Sequence, residues 1–107
     1  YGDLVVDMRN VRRIRETTGA AVLFDATHSL QRPGMGPDGS SGGFRSYLSD
    51  LIKAAAAVGV DGFFLETHPS PSDAPSDSAT MLPLDELDGV IEQTLSVWHA
   101  SRERSGQ

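Results

Sequence analysis

Apolar positions fall along this chain in three short unbroken runs, with longer amphipathic stretches between and after them. Leu4–Asp7, Ala21–Asp25 and Gly62–Glu66 are each rich in β-branched or aromatic residues and show no polar–apolar alternation. Strands covered on both faces of a parallel sheet have this pattern. The stretch after the first run predicts a helix with Val11 and Ile14 facing inward, Asn10 as its N-cap and Gly19 just past its end. A second helix is written more strongly. Phe44, Tyr47, Leu48, Leu51, Ile52, Ala55 and Val58 recur at i, i+3, i+4, i+7 and i+8, and Gly59 closes the pattern. A third helix opens near Pro83, with Asp85, Glu86 and Asp88 in its first turns, where the helix dipole favours carboxylates. Its expected apolar stripe is Leu84, Leu87, Ile91, Leu95 and Trp98, and the polar tail 101–107 is expected to fray.

The resulting order, β-α-β-α-β-α, is that of a parallel α/β fold with crossover helices. Doubly wound sheets and (β/α)8 barrels both begin this way. Three βα units cannot close an eight-stranded barrel, which takes about 250 residues. A three-stranded parallel sheet by itself leaves two long edges bare. With 107 residues and Tyr1 rather than Met in first place, the chain reads as part of one domain of a longer protein.

Composition narrows the function classes. Nine Lys and Arg stand against 15 Asp and Glu, a formal net charge of −6, which argues against a nucleic-acid binder. There is no cysteine, which excludes a disulfide framework and any Cys-ligated metal within these residues and suits a reducing compartment. The longest apolar run, Ala54–Val58, is far short of the roughly 20 residues of a membrane helix, and no secretory signal opens the chain. Eight carboxylates and no Lys or Arg lie between Ala54 and Ser101, while four of the nine basic residues sit at Arg9, Arg12, Arg13 and Arg15. Such runs read first as solvated helix faces. An acidic half suits a cation better than an anionic substrate.

Candidate chemistry gathers after the second and third strands. Five of the eleven glycines lie within 34–43, and the connection 67–82 carries Pro69, Pro71 and Pro75. Long connections at the C-terminal ends of parallel strands are where such folds place their sites. His28 ends the second strand, Glu66 ends the third, and Asp77 lies eleven residues further on. One imidazole and two carboxylates brought to one face can hold a divalent cation with positions open for substrate. The alternative is a His and a Glu satisfied by hydrogen bonds to neighbouring loops. The segment Asp38–Gly43, leading into the Phe44 helix, reads either as a phosphate cradle or as a flexible loop ending in a Ser N-cap. His68 is read as structural, His99 as a surface residue, and Trp98 and Met81 as packing.

The strings LVVDMRN, VLFDATHSLQ, SSGGFR, AAAAVGVDGFFLETHP and SDSATMLPL, in this order from Leu4 to Trp98, resemble the C-terminal part of the 3-deoxy-D-manno-octulosonate 8-phosphate synthases. The resemblance implies a cytoplasmic, homotetrameric (β/α)8 enzyme of lipopolysaccharide biosynthesis. It condenses phosphoenolpyruvate with arabinose 5-phosphate and water to give the eight-carbon sugar acid phosphate and inorganic phosphate. This chain would supply the sixth to eighth βα units of a partial TIM barrel. In metal-dependent members the matching His, Glu and Asp bind the cation (Zn, Fe(II) or Mn) beside a Cys of the first strand. They fall on His28, Glu66 and Asp77. A second class carries Asn in place of that Cys and works without metal; Ser76 before Asp77 looks more like the metal-dependent class. Gln31 and Ser41 match positions facing the aldose phosphate. In the implied reaction carbon 3 of the enol attacks the aldehyde and water adds at carbon 2. His28 and Asp77 are the expected catalytic residues, Asp77 accepting a proton at close range. The Lys and Arg residues that grip phosphoenolpyruvate belong to earlier strands, so the 107 residues alone are expected to be inactive. The related heptulosonate phosphate synthases, and a non-catalytic interaction module, are the alternatives.

Overall fold

A computed structural model describes residues 6–32, 42–43, 47–71 and 81–104. Among them the elements run α1 (Arg9–Thr18), β1 (Leu23–Asp25), β2 (Gln31–Arg32), β3 (Gly42–Gly43), α2 (Leu48–Val58), β4 (Gly62–Phe64), β5 (Thr67–His68), β6 (Leu82–Pro83) and α3 (Leu87–Arg104). Of the expected first strand, Leu4 and Val5 lie outside the described residues, and Val6 and Asp7 are not in a strand.

Helix α1 starts one residue before its expected N-cap. Asn10 lies inside it, and the capping group is the Asp7 carboxylate, whose Oδ1 accepts the Arg9 backbone N–H at 3.0 Å. The Arg9 guanidinium closes on the same carboxylate at 2.8 Å and holds the Asp7 carboxyl at about 2. The helix ends as the sequence predicts: Gly19 takes the left-handed conformation, φ 71°, and its N–H returns to the Arg15 carbonyl at 2.8 Å. Gly59, φ 98°, ends α2 in the same way.

Strands β1 and β4 are adjacent and parallel, with Leu23 opposite Gly62, Phe24 opposite Phe63 and Asp25 opposite Phe64. Both are shorter than their apolar runs. Side chains alternate across this pair. Phe24 is buried beneath α2, whereas Leu23 (68% exposed) and Phe64 (48% exposed) stand on an open face that none of the described elements covers. The runs Ala21–Asp25 and Gly62–Glu66 lack alternation because they are written for cover on both sides, and here one side is bare. On the covered side Val11, Val22, Phe24, Ala26, Leu48, Ile52, Ala55, Val60 and Leu82 form one core. Short parallel β5 and β6 pair next to β4, Thr67 opposite Leu82.

Helix α3 is preceded by a 3-10 turn, Leu84–Glu86, entered through Pro83. It runs through Ser101 to Arg104, the first four positions of the polar tail. The helix is fixed there by polar contacts. Trp98 Nε1 donates to the Val60 carbonyl at 2.8 Å, the Ser101 hydroxyl donates to the Ala57 carbonyl at 2.8 Å, and the Arg102 guanidinium lies 3.9 Å from the Trp98 ring centre. Its packed face is rotated from the expected stripe. Leu87 and Trp98 of that stripe turn inward beside Val90 and Thr94, while Leu84, Ile91 and Leu95 remain exposed. The alanines of α2 let the two helices approach closely, which draws that face in. The Ile91–Leu95 row instead lines a groove of about 410 Å³ together with Phe63, Leu65 and Leu87.

At the N-terminal end of the strands, Asp61 joins three elements. Its Oδ2 accepts the Val22 N–H at 2.7 Å and an Arg15 N–H at 3.0 Å, and Arg102 reaches Oδ1 at 3.5 Å. The Val22 N–H, followed by the Arg15 guanidinium, holds the Asp61 carboxyl below its ordinary value.

Candidate active site

The opposite, C-terminal end of the strands collects the polar side chains. The ladder between β1 and β4 runs one bond further, Ala26 N–H to the Phe64 carbonyl at 3.0 Å, before the chain turns. Thr27, fully buried, then points its hydroxyl at the neighbouring strand end, where Oγ1 accepts the Glu66 N–H at 2.8 Å. The Glu66 carbonyl accepts the Leu82 N–H at 3.0 Å. Glu66 is therefore anchored on both sides of its backbone, once from β1 and once from β6.

His28 follows Thr27 in a single 3-10 turn. The carboxylate of Asp25 closes that turn: Oδ1 accepts the His28 backbone N–H at 2.9 Å and Oδ2 lies 2.7 Å from Nδ1. The Ser29 hydroxyl donates to the Asp25 carbonyl at 2.5 Å. The other ring nitrogen, Nε2, sits 3.2 Å from Glu66 Oε1, and the ring lies 6.0 Å from that of Phe64 on the open sheet face. Two residues 38 positions apart are brought together because their strands are adjacent, parallel and in register.

The structure thus joins His28 and Glu66, as the sequence predicts. Asp77 and Ser41 lie outside the described residues. Gln31 is placed only by its backbone, in β2, opposite Gly43 of antiparallel β3. The Gly-rich connection is therefore pinned at both ends by a short ladder rather than running as one open loop. Among the described residues no group of three or more His, Cys, Asp or Glu side chains is arranged to hold a metal ion. His68 stands apart from the pair, its Nδ1 accepting the Ser70 N–H at 2.9 Å, and His99 meets the Trp98 ring edge-on from α3. Neither the apolar pattern nor the motifs assign a role to Asp25 or Thr27. The signal available for Asp25 was its spacing of three from His28, which one tight turn converts into contact.

Parallel strands joined through a helix, with a titratable pair at their C-terminal ends, define the class of α/β proteins that work from that rim. Residues 1–101 match the family model described as the DAHP synthetase I family, and the chain belongs to that family. Among curated relatives it is 52% identical over 90% of its length to a 2-dehydro-3-deoxyphosphooctonate aldolase of Bradyrhizobium diazoefficiens. It is 50% identical over 98% of its length to a protein of the same name from Rhodopseudomonas palustris, and 50% identical over 90% to one from Nitrobacter hamburgensis. The chain spans 34%, 36% and 33% of those three proteins, about a third of each. No described helix is long and apolar enough to cross a membrane.

Proposed function

We propose that this chain forms the last three βα units of a (β/α)8 synthase that joins phosphoenolpyruvate, arabinose 5-phosphate and water into 3-deoxy-D-manno-octulosonate 8-phosphate and phosphate. The observation that carries the reading is the coincidence of half-identity to proteins named 2-dehydro-3-deoxyphosphooctonate aldolase with a His28–Glu66 pair at the C-terminal strand ends. The open face bearing Leu23 and Phe64 supports the barrel, since an apolar sheet face of this kind asks for the remaining strands as cover. The complete enzyme is proposed as a cytoplasmic homotetramer.

The donor set also fits a divalent cation. Two ligands each about 2.1 Å from one metal lie roughly 3.0–3.4 Å from each other in tetrahedral or octahedral geometry. The His28 and Glu66 donor atoms stand 3.2 Å apart. His28 and Glu66, with Asp77 as a third ligand, would hold Zn, Mn or Fe(II). Such a cation would polarise the aldehyde or orient the attacking water. The residues act around it: Glu66 keeps a fixed carboxylate at the rim, Thr27 fixes Glu66, and Asp77 accepts the proton of the water that adds at carbon 2. Gln31 and Ser41 bind the aldose phosphate from the Gly-rich connection, and positioning two phosphorylated substrates supplies much of the acceleration.

The test is an assay of the complete polypeptide carrying this chain, with phosphoenolpyruvate and either arabinose 5-phosphate or erythrose 4-phosphate. Phosphate release and an eight-carbon product with the pentose only are expected. Turnover of erythrose 4-phosphate alone would replace the reading by the heptulosonate synthase. No turnover with either would leave a binding or structural role.

A further inference from the structure

The geometry points to Asp25 as a positioning residue of this site, the group that sets which nitrogen of His28 faces Glu66. The inference rests on reading His28 and Glu66 as the working pair, and it concerns a residue that acts through His28. Asp25 commits both carboxylate oxygens to His28, one to its backbone N–H at 2.9 Å and one to Nδ1 at 2.7 Å. Both ring nitrogens face carboxylate oxygens, which only accept, Nδ1 at 2.7 Å from Asp25 and Nε2 at 3.2 Å from Glu66. When the ring carries a single hydrogen, the shorter contact keeps it on Nδ1, and the lone pair is then on Nε2, on the side of Glu66. Asp25 itself has little latitude. It is the last residue of β1, in register with Phe64, and its carbonyl is held by the Ser29 hydroxyl. The chain between the two residues is fixed as well, since Ala26 and Thr27 are both bonded across to β4 and its extension. An imidazole hung from a rigid turn and gripped through Nδ1 has its Nε2 aimed by the strand rather than by its own rotamer preference. A carboxylate in this place behind a metal-binding imidazole fixes its tautomer and raises its basicity. The two side chains are 38% and 44% exposed, so their pairing adds little to folding, and substituting Asp25 reports on orientation.

The experiment uses the complete polypeptide, chelator-treated and labelled with 15N-histidine, with the His28 signals assigned by a His28→Gln variant. Spectra at the alkaline end of a pH titration, where the ring is neutral, read the tautomer directly. The wild type is expected to show hydrogen on Nδ1, and Asp25→Ala to lose that selection. In the same samples, competition with a chromogenic chelator should show Zn²⁺ or Mn²⁺ affinity falling 10–100-fold in Asp25→Ala, with circular dichroism unchanged. If Asp25→Ala does not fold, Asp25→Asn, of equal size but without charge, carries the same readouts with a smaller change. A wild-type ring with hydrogen on Nε2, or a variant with unchanged tautomer, overturns the inference whether or not the protein takes up metal. Failure of the underlying reading looks different: His28→Ala and Glu66→Ala would then leave turnover and cation affinity unaltered, independently of the tautomer.

Discussion

Thr27 shows how one hydroxyl positions the rim. It is fully buried, and its oxygen is the acceptor for the Glu66 N–H. Thr27→Val keeps the shape and strands that N–H, so the complete protein should lose about 1–3 kcal/mol of stability, visible in chemical denaturation, and Glu66 should lose its fixed place. A loss well under that range would mean that water replaces the hydroxyl. Ser41 tests the other substrate subsite: Ser41→Ala should weaken aldose phosphate binding by about 0.5–1.5 kcal/mol, the value of one neutral hydrogen bond, and leave phosphoenolpyruvate binding unchanged. Calorimetric titration of both substrates separates this from a general loss, which would assign Ser41 to supporting the start of the following helix. His28 and Glu66 were legible in the sequence because each ends an apolar run, and adjacent parallel strands deliver their ends to the same rim. Asp25 was not. An acidic residue closing a strand has several common uses, and its meeting with Nδ1 depends on a 3-10 turn that hydrophobic periodicity does not encode.

Among the elements, Asp61 is the junction of α1, α3 and the starts of β1 and β4. Its folded-state carboxyl is held below the ordinary 3.8, chiefly by the Val22 N–H and then by Arg15. A depressed carboxyl contributes stability that is present above the unfolded value and is lost as pH falls through the folded one. The gap in thermal midpoint between wild type and Asp61→Asn should therefore be constant from neutral pH down to about 5 and close at lower pH. A gap that persists unchanged in acid would assign Asp61 to hydrogen bonding alone. The helices themselves were legible to different degrees. Gly19 and Gly59 stop α1 and α2 as expected because only a left-handed residue lets the last carbonyls be satisfied. Helix α1 starts at Arg9, two residues before the Val11 that an Asn10 cap implies, since Asp7 and Asn10 are both capable caps and the choice falls to the Arg9–Asp7 contact. Of the stripe expected on α3, Leu87 and Trp98 pack inward, whereas Leu84, Ile91 and Leu95 are exposed.

For the whole molecule the open sheet face is the informative surface. Leu23 is 68% exposed in these 107 residues, so Leu23→Ala should change the stability of the chain alone by no more than about 0.5 kcal/mol. In the complete protein the same substitution should cost about 2–5 kcal/mol if, as proposed, further strands of a barrel bury that side chain. Equal small effects in both would remove the barrel. The order of the second and third strands and the helices is readable from the apolar runs, but their cover is not, because an unbroken apolar run does not say which element lies over each face of β1 and β4. The central claim, that His28 and Glu66 form the working centre of a synthase, is tested most directly by one comparison. It is the rate of phosphate release from phosphoenolpyruvate and arabinose 5-phosphate by the complete protein and by its Glu66→Ala variant, at equal folded content. The account predicts turnover in the first and a fall of at least about 100-fold in the second, the usual scale for losing a positioned group of this kind. Equal rates in the two would contradict it.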